Sequence, residues 1–298
     1  MKPLEKKDGT VKIVVITGST RGIGYALSDA FLARGCAVVL CGRRQESLED
    51  ALRRLGSKHS DDRVAGWICD VRQEEQLQAL WELAVGRFGR IDIWINNAGV
   101  AHSTQRIWEQ TSDLPRSILE TNLLGAIFGS RVAARGMLAQ GSGSIFNMEG
   151  LGSDGRRVSG LVYYGTSKCG LHYFNQCLIE DARGTPLTIG ILRPGMVMTD
   201  MITGQYADRP GEWERAKRVF EVLADRPEPV ASWLVERILR NRKPVVLLRY
   251  GTPSRIAARM LRRLARRGAG EGTAAAPVDH SAGYVAVNRA EDEPRQPH

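Results

Sequence analysis

Short runs of consecutive apolar residues alternate along this chain with longer stretches in which apolar positions recur every three or four residues. The runs lie at 13–16, 37–40, 63–69, 91–95, 144–148, 187–192 and 245–248. An unbroken apolar run between turn residues predicts a strand buried on both faces. The intervening stretches at 25–34, 45–55, 73–88, 114–139, 161–182 and 231–240 predict helices. In the third of them Leu77, Leu80, Trp81, Ala84 and Phe88 form one stripe at the helical period. Strands and helices alternating at these lengths predict a single α/β domain over 11–250. It is a doubly wound parallel sheet of about seven strands, after a short lead at 1–10.

The first strand–helix–strand unit holds Thr17-Gly18-Ser19-Thr20-Arg21-Gly22-Ile23-Gly24 between its strand and its helix. Glycines there let the backbone turn tightly and approach a pyrophosphate, and the helix N-terminus offers unpaired N–H groups and a partial positive charge. The second strand ends in Cys41-Gly42-Arg43-Arg44. An acidic residue at that point would hydrogen-bond the ribose hydroxyls of NAD. None is present, and Arg21 adds a cation inside the turn. A guanidinium suits a phosphate, so Arg21 and Arg43 are expected on the 2′-phosphate of NADPH. The alternative is two arginines held in water.

Composition narrows the class. The chain has 298 residues, 43% of them hydrophobic, enough for a sizeable core. No apolar run approaches a bilayer span, and the polar lead at 1–10 lacks the apolar segment of a secretory signal, so the expected compartment is the cytosol. Cys36, Cys41, Cys69, Cys169 and Cys177 form no C-x2-C pair; they are expected to be reduced, buried small hydrophobes, and no metal is expected. Much of the net charge of +9 sits in six arginines between Arg255 and Arg267. No aromatic residue interleaves with them, so nucleic acid is not an expected partner. Ile256, Met260, Leu261 and Leu264 form an apolar stripe among them, which predicts a basic amphipathic helix over 251–267. It packs on the body or a sister subunit, or it makes peripheral contact with an anionic membrane through 254–267. From Gly268 to the end the composition predicts a disordered tail at 268–298.

Tyr164-Gly165-Thr166-Ser167-Lys168 is the second chemical signal. Residues four apart share a helix face, so the phenol and the ammonium can share a site. The ammonium is expected to lower the tyrosine pKa, and such a tyrosine can protonate a carbonyl oxygen as hydride reaches the carbon. Four residues after the neighbouring Tyr163 comes Ser167, which cannot do this.

With its Gly-x3-Gly-x-Gly turn, Asn96-Asn97-Ala98-Gly99 and Tyr-x3-Lys, the chain resembles the short-chain dehydrogenase/reductase family. The resemblance implies a Rossmann-type fold and a homo-oligomer paired through two long helices. It implies that Gly18, Ser19, Thr20, Arg21, Gly22, Ile23, Gly24, Arg43 and Arg44 surround the nucleotide phosphates. Asp70, followed by Val71, would meet the adenine, and Asn97, Ala98 and Gly99 would pass close to the cofactor. Lys168 would bind the nicotinamide ribose, and Asn122 would hold a water linking the lysine to solvent; the plain alternative is a polar residue kinking its helix. In Pro194-Gly195-x3-Thr199, the Val197 backbone and the Thr199 hydroxyl would hold the nicotinamide carboxamide.

The chain departs from the family at the catalytic serine after the fifth strand, where Gly150 stands. Ser153 is the nearest hydroxyl, either a substrate hydrogen-bond donor or a turn residue. Asn147-Met148-Glu149-Gly150-Leu151-Gly152-Ser153 resembles the corresponding loop of plant and algal chlorophyll b reductases, as does Arg249-Tyr250-Gly251-Thr252-Pro253. That implies an NADPH-dependent reductase of the 7-formyl group of chlorophyll(ide) b. Two other readings stand beside it: a generalist reductase of small ketones, aldehydes or 3-oxoacyl thioesters, and an NADPH-binding protein that has lost catalysis.

Overall fold

The computed structural model describes residues 11–206 and 210–252. The lead at 1–10, the basic segment at 254–267 and the tail lie outside the described residues. The strands are β1 (Ile13–Ile16), β2 (Ala37–Gly42), β3 (Val64–Ile68), β4 (Ile93–Asn96), β5 (Gly143–Met148), β6 (Leu187–Arg193) and β7 (Val245–Arg249). They form one sheet in the order β3-β2-β1-β4-β5-β6-β7, and every pairing is parallel. The order reverses between β1 and β4, and in such sheets ligands bind beyond the strand carboxyl ends at that switch.

The helices cover both faces, which is why the central strands read as continuous apolar runs. On one side α1 (Gly22–Leu32), α2 (Gln45–Lys58) and α9 (Pro227–Arg240) bury Leu27, Phe31, Leu48, Leu55, Leu234 and Ile238 against β1 and β2. On the other side α3 (Glu74–Phe88), α5 (Gly125–Gln140) and α6 (Val162–Asp181) pack toward the sheet. Leu77, Leu80, Trp81, Val132 and Met137 meet Val15, Trp94 and Ile145 there. Edge strands bury less: Trp67 and Ile68 on β3 and Val245 and Leu247 on β7 are exposed.

Three details differ from the expectations. The predicted helix at 114–139 is α4 (Leu114–Leu119), a π turn (Glu120–Leu124) and α5 in succession. A π turn inserts one residue into the helical ladder, and here it carries Thr121 and Asn122. The region after β6 contains α7 (Asp200–Thr203) and α8 (Pro210–Leu223), neither of them predicted. Tyr206, Trp213 and Phe220 cluster there, with ring centroids 5.7, 6.0 and 6.1 Å apart. Cys36, Cys41 and Cys69 are buried, but Cys169 and Cys177 are exposed. These two lie on α6 away from its inward-facing Lys168, Leu171 and Asn175.

Gly136 shows how tightly the second layer is packed, because a Cβ there would run into the Trp81 ring of α3. Gly136→Ala is expected to cost about 1–3 kcal/mol through overpacking. Gly86→Ala, on α3 with nothing within 4 Å, is expected to gain about 0.5–1 kcal/mol by helix propensity. Thermal melting of the two variants checks this, with shifts of opposite sign.

Candidate active site

A large cavity, about 2550 Å3, opens at the carboxyl ends of the strands. That exceeds the roughly 300–1000 Å3 of an ordinary small-ligand pocket and leaves room for a dinucleotide and a bulky second ligand together. One end is the glycine turn. Gly18 has φ +61°, and a Cβ on it would sit 2.7 Å from the Cα of Ala98. The Asn97 Nδ2 donates to Thr17 O and Gly18 O at 2.9 and 3.0 Å, and the backbone N–H groups of Asn97 and Ala98 both donate to Thr17 Oγ1 at 3.0 Å. The turn and the Asn-Asn-Ala-Gly segment are therefore one unit, and Thr17, which the motif reading passed over, is its pin.

Most of the expected nucleotide residues line this cavity: Gly18, Thr20, Arg21, Gly22, Ile23 and Gly24, then Arg43 and Arg44. Gly22, Ile23 and Gly24 open α1, whose start has no side-chain cap and no acidic residue in the first turn. Unpaired N–H groups at such a start fit a pyrophosphate. Ser19 is the exception. Its side chain is fully buried, donating to Ile16 O at 2.7 Å and accepting from Cys41 N at 3.0 Å. It ties β1 to β2 and does not reach the cavity.

Arg43 is exposed, and Arg21 is exposed with Asp200 3.7 Å away. Asp70, Val71, Asn97, Ala98 and Gly99 also line the cavity. Burial works to raise the Asp70 pKa, but Arg72, whose Nε donates to both carboxylate oxygens at 3.0 Å, outweighs it and holds the carboxyl below its usual range. Pro194, Gly195, Val197 and Thr199 also line the cavity, and Thr199 stands beside the glycine turn, where a Cβ on Gly22 would lie 3.4 Å from its methyl.

Tyr164 and Lys168 lie on the floor of the cavity, on the same face of α6. Tyr163 does not line it, and its ring packs on His102, with centroids 5.9 Å apart. Lys168 Nζ donates to Met148 O at 2.9 Å and lies 5.9 Å from the centre of the Tyr164 ring. The expected lowering of the tyrosine pKa does not appear. Burial pushes the Tyr164 phenol up to about 12, and burial lowers the Lys168 ammonium to about 8 against the opposing pull of Glu149. Desolvation is the leading cause of both shifts, so the phenol is held in its protonated, donor form.

Gly150 faces the acid directly, for a Cβ on it would collide with the Tyr164 hydroxyl. Ser153 is buried and lines the cavity, and its Oγ accepts from Gly150 N at 3.2 Å. As an acceptor in that bond, the hydroxyl keeps its own proton available. Asn122 stands behind the wall. Its Oδ1 accepts from Val100 N at 2.7 Å, and its Nδ2 donates to Val100 O and Ser167 Oγ at 2.9 and 3.1 Å. Both side-chain N–H groups are thus occupied structurally.

Glu149 entered the sequence reading only as a letter of the loop motif, with no role assigned to it. It is buried, with Oε1 accepting from His172 Nδ1 at 2.9 Å and Asn175 Nδ2 at 3.0 Å, and Oε2 from Arg193 Nε at 2.6 Å. An acid directly after an apolar strand was its only signal. Tyr206, Phe220 and Leu223 give the far end of the cavity an apolar wall. Among the described residues no group of three or more His, Cys, Asp or Glu side chains could hold a metal ion. No helix among them is long and apolar enough to cross a membrane.

Known proteins are similar to this chain. A probable chlorophyll(ide) b reductase of Arabidopsis thaliana is 36% identical over 271 residues, covering 86% of this chain and 53% of that protein. A chlorophyll(ide) b reductase of Oryza sativa subsp. japonica is 36% identical over 230 residues, covering 76% of this chain and 66% of that one. The chain thus spans between about half and two thirds of the length of these relatives. The structure of a variant actinorhodin polyketide ketoreductase with NADPH matches with a TM-score of 0.70 at 27% identity, over 81% of this chain and 96% of that one. The family model described as short chain dehydrogenase matches residues 12–210, and the chain belongs to the short chain dehydrogenase family.

Proposed function

We propose that this chain is an NADPH-dependent carbonyl reductase that converts the 7-formyl group of chlorophyll b, or of its phytol-free form, to hydroxymethyl. The observation that carries the proposal is Gly150 against the Tyr164 hydroxyl. Gly150 puts no side chain between the acid and a cavity large enough for a rigid ring system beside a dinucleotide. The relatives named chlorophyll(ide) b reductases support the substrate, and the NADPH-bound ketoreductase supports the cofactor.

The bound nicotinamide would supply hydride to the formyl carbon. Tyr164 then gives its phenolic proton to the carbonyl oxygen: the tyrosine O–H bond breaks as the product O–H bond forms. The phenolate left behind is stabilised by the Lys168 ammonium on the next turn of α6. Ser153 lends its free O–H as a second donor to the oxygen gaining charge, in place of the serine that Gly150 has displaced. Arg43 and Arg21 would hold the 2′-phosphate, and Gly42 leaves no carboxylate to repel it.

NADPH oxidation measured with chlorophyll b, a small aldehyde and a 3-oxoacyl thioester tests the substrate, and the pigment is expected to be turned over best. In the same assay Tyr164→Phe is expected to abolish turnover while NADPH binding survives. Tyr163→Phe, which loses no cavity group, is expected to be mild; equal losses would contradict the assignment. Gly150→Ser must displace the phenol and should lose the large and the small substrate alike, whereas Ser153→Ala should lower the rate by roughly tenfold to a thousandfold. A Gly150→Ser enzyme that reduces the pigment unimpaired would overturn the role given to that glycine.

For the cofactor, Arg43→Ala is expected to weaken NADPH by about one to two decades, the value of a charged phosphate contact at roughly 1.5–3 kcal/mol. A Cβ at Gly42 would lie 2.6 Å from the Thr20 methyl, so Gly42→Asp is best made together with Thr20→Ser. That pair is expected to admit NADH. Unchanged NADPH preference in titrations of both variants would contradict the assignment.

A further inference from the structure

Glu149 is a buried acid that the reduction just described does not use. It follows Met148, whose carbonyl receives Lys168, and precedes Gly150, which makes space for the Tyr164 hydroxyl. Its three N–H donors come from α6 (His172, Asn175) and β6 (Arg193). Each oxygen of the Glu149 side chain thus accepts at least one N–H, and one of the donors is a guanidinium. Lys168 donates to the carbonyl of Met148, the residue before Glu149, and is itself only 5% exposed.

We propose that Glu149 is a positioning residue whose buried negative charge keeps Lys168 in its ammonium form, and so keeps the Tyr164–Lys168 pair competent. The inference rests on the reading of that pair as the proton donor and its partner. The titratable groups facing Lys168 are Tyr164 and His172 from its own helix, Glu149 from the end of β5 and Arg193 from β6. The π turn brings only the neutral Asn122, through Ser167. Among these, Glu149 alone carries a negative charge, and it opposes the burial that brings Lys168 down to about 8. With the carboxylate gone, the lysine would keep its desolvation and lose the opposing pull of Glu149. That favours the neutral amine, and a neutral amine cannot stabilise a phenolate.

The direction of the pH effect follows. A lysine of lower pKa is charged over a narrower range, so the alkaline fall in rate should move to lower pH in Glu149→Gln. At still lower pH the variant should regain most of the wild-type rate. A purely structural role would instead lower the rate at every pH.

The direct experiment is NMR on protein labelled with 13Cε-lysine, with the Lys168 signal identified by its loss in Lys168→Arg. The wild-type midpoint is expected near 8, with a fall of about one pH unit or more in Glu149→Gln. Should that variant fold poorly, Glu149→Gln with Arg193→Gln removes the buried ion pair as a whole and is expected to lower the midpoint as well. Glu149→Asp, keeping the charge, is expected to restore it. An unmoved midpoint in the folded neutral variant, or a rate loss equal at all pH values, would overturn the proposal. The NMR titration needs no substrate. A shifted lysine in a chain that ignores chlorophyll b would sink the substrate reading alone, and an unmoved lysine in an active enzyme would sink only this one.

Discussion

The site depends on one contact, between the carboxyl end of β5 and a single face of α6. Met148, Glu149 and Gly150 are consecutive, and each is matched to a different position on that helix. Met148 O receives Lys168, Glu149 receives His172 and Asn175, and Gly150 backs onto the Tyr164 hydroxyl. The four helix positions, 164, 168, 172 and 175, are spaced four, four and three apart, which keeps them on one stripe. Any slip of α6 along the strand end would break all three matches together, so the geometry of the acid is set by an interlock and not by a flexible loop.

That contact continues into the sheet as a line of buried amides. Trp94 Nε1 donates to Asn96, Asn96 to Asn147 and Ser130, Asn147 to Asn175, and Asn175 to Glu149, at 2.7–3.0 Å. Leaving a buried polar group unpaired costs about 1–3 kcal/mol, and beyond the Trp94–Asn96 bond within β4 each bond of this line crosses between elements, from β4 to α5 and β5 and between α6 and the β5 end. The line therefore specifies how α5 and α6 dock on the central strands, where apolar packing alone would tolerate more than one register. It also delivers a charged residue to the cavity floor with its hydrogen bonds already made.

Much of this was legible in the amino-acid order. The seven strands follow from apolar runs because both faces of the sheet are covered, and the glycine turn and Tyr164–Lys168 follow from spacing along single elements. What was not legible depends on contacts between elements. Ser19 lies inside a phosphate-turn motif yet faces β2, and only the pairing of β1 with β2 decides that. The rise of the Tyr164 pKa to about 12 comes from burial, which no i, i+4 spacing reports. Glu149 looked like a loop residue until β6 supplied Arg193. Helix α8 keeps a helical spacing in Trp213, Ala216, Phe220 and Leu223, but it lies among charges and follows a stretch with no run to anchor it.

On the proposed function, NADPH would supply hydride and Tyr164 a proton to a formyl group on a large ring system. The most direct measurement places deuterium at the transferable position of the nicotinamide of NADPH and follows it into chlorophyll b by mass spectrometry and NMR. The account predicts deuterium on the 7-hydroxymethyl carbon with wild-type protein and none with Tyr164→Phe. NADPH consumed with the formyl group intact, or label transferred equally well without the tyrosine, would contradict it.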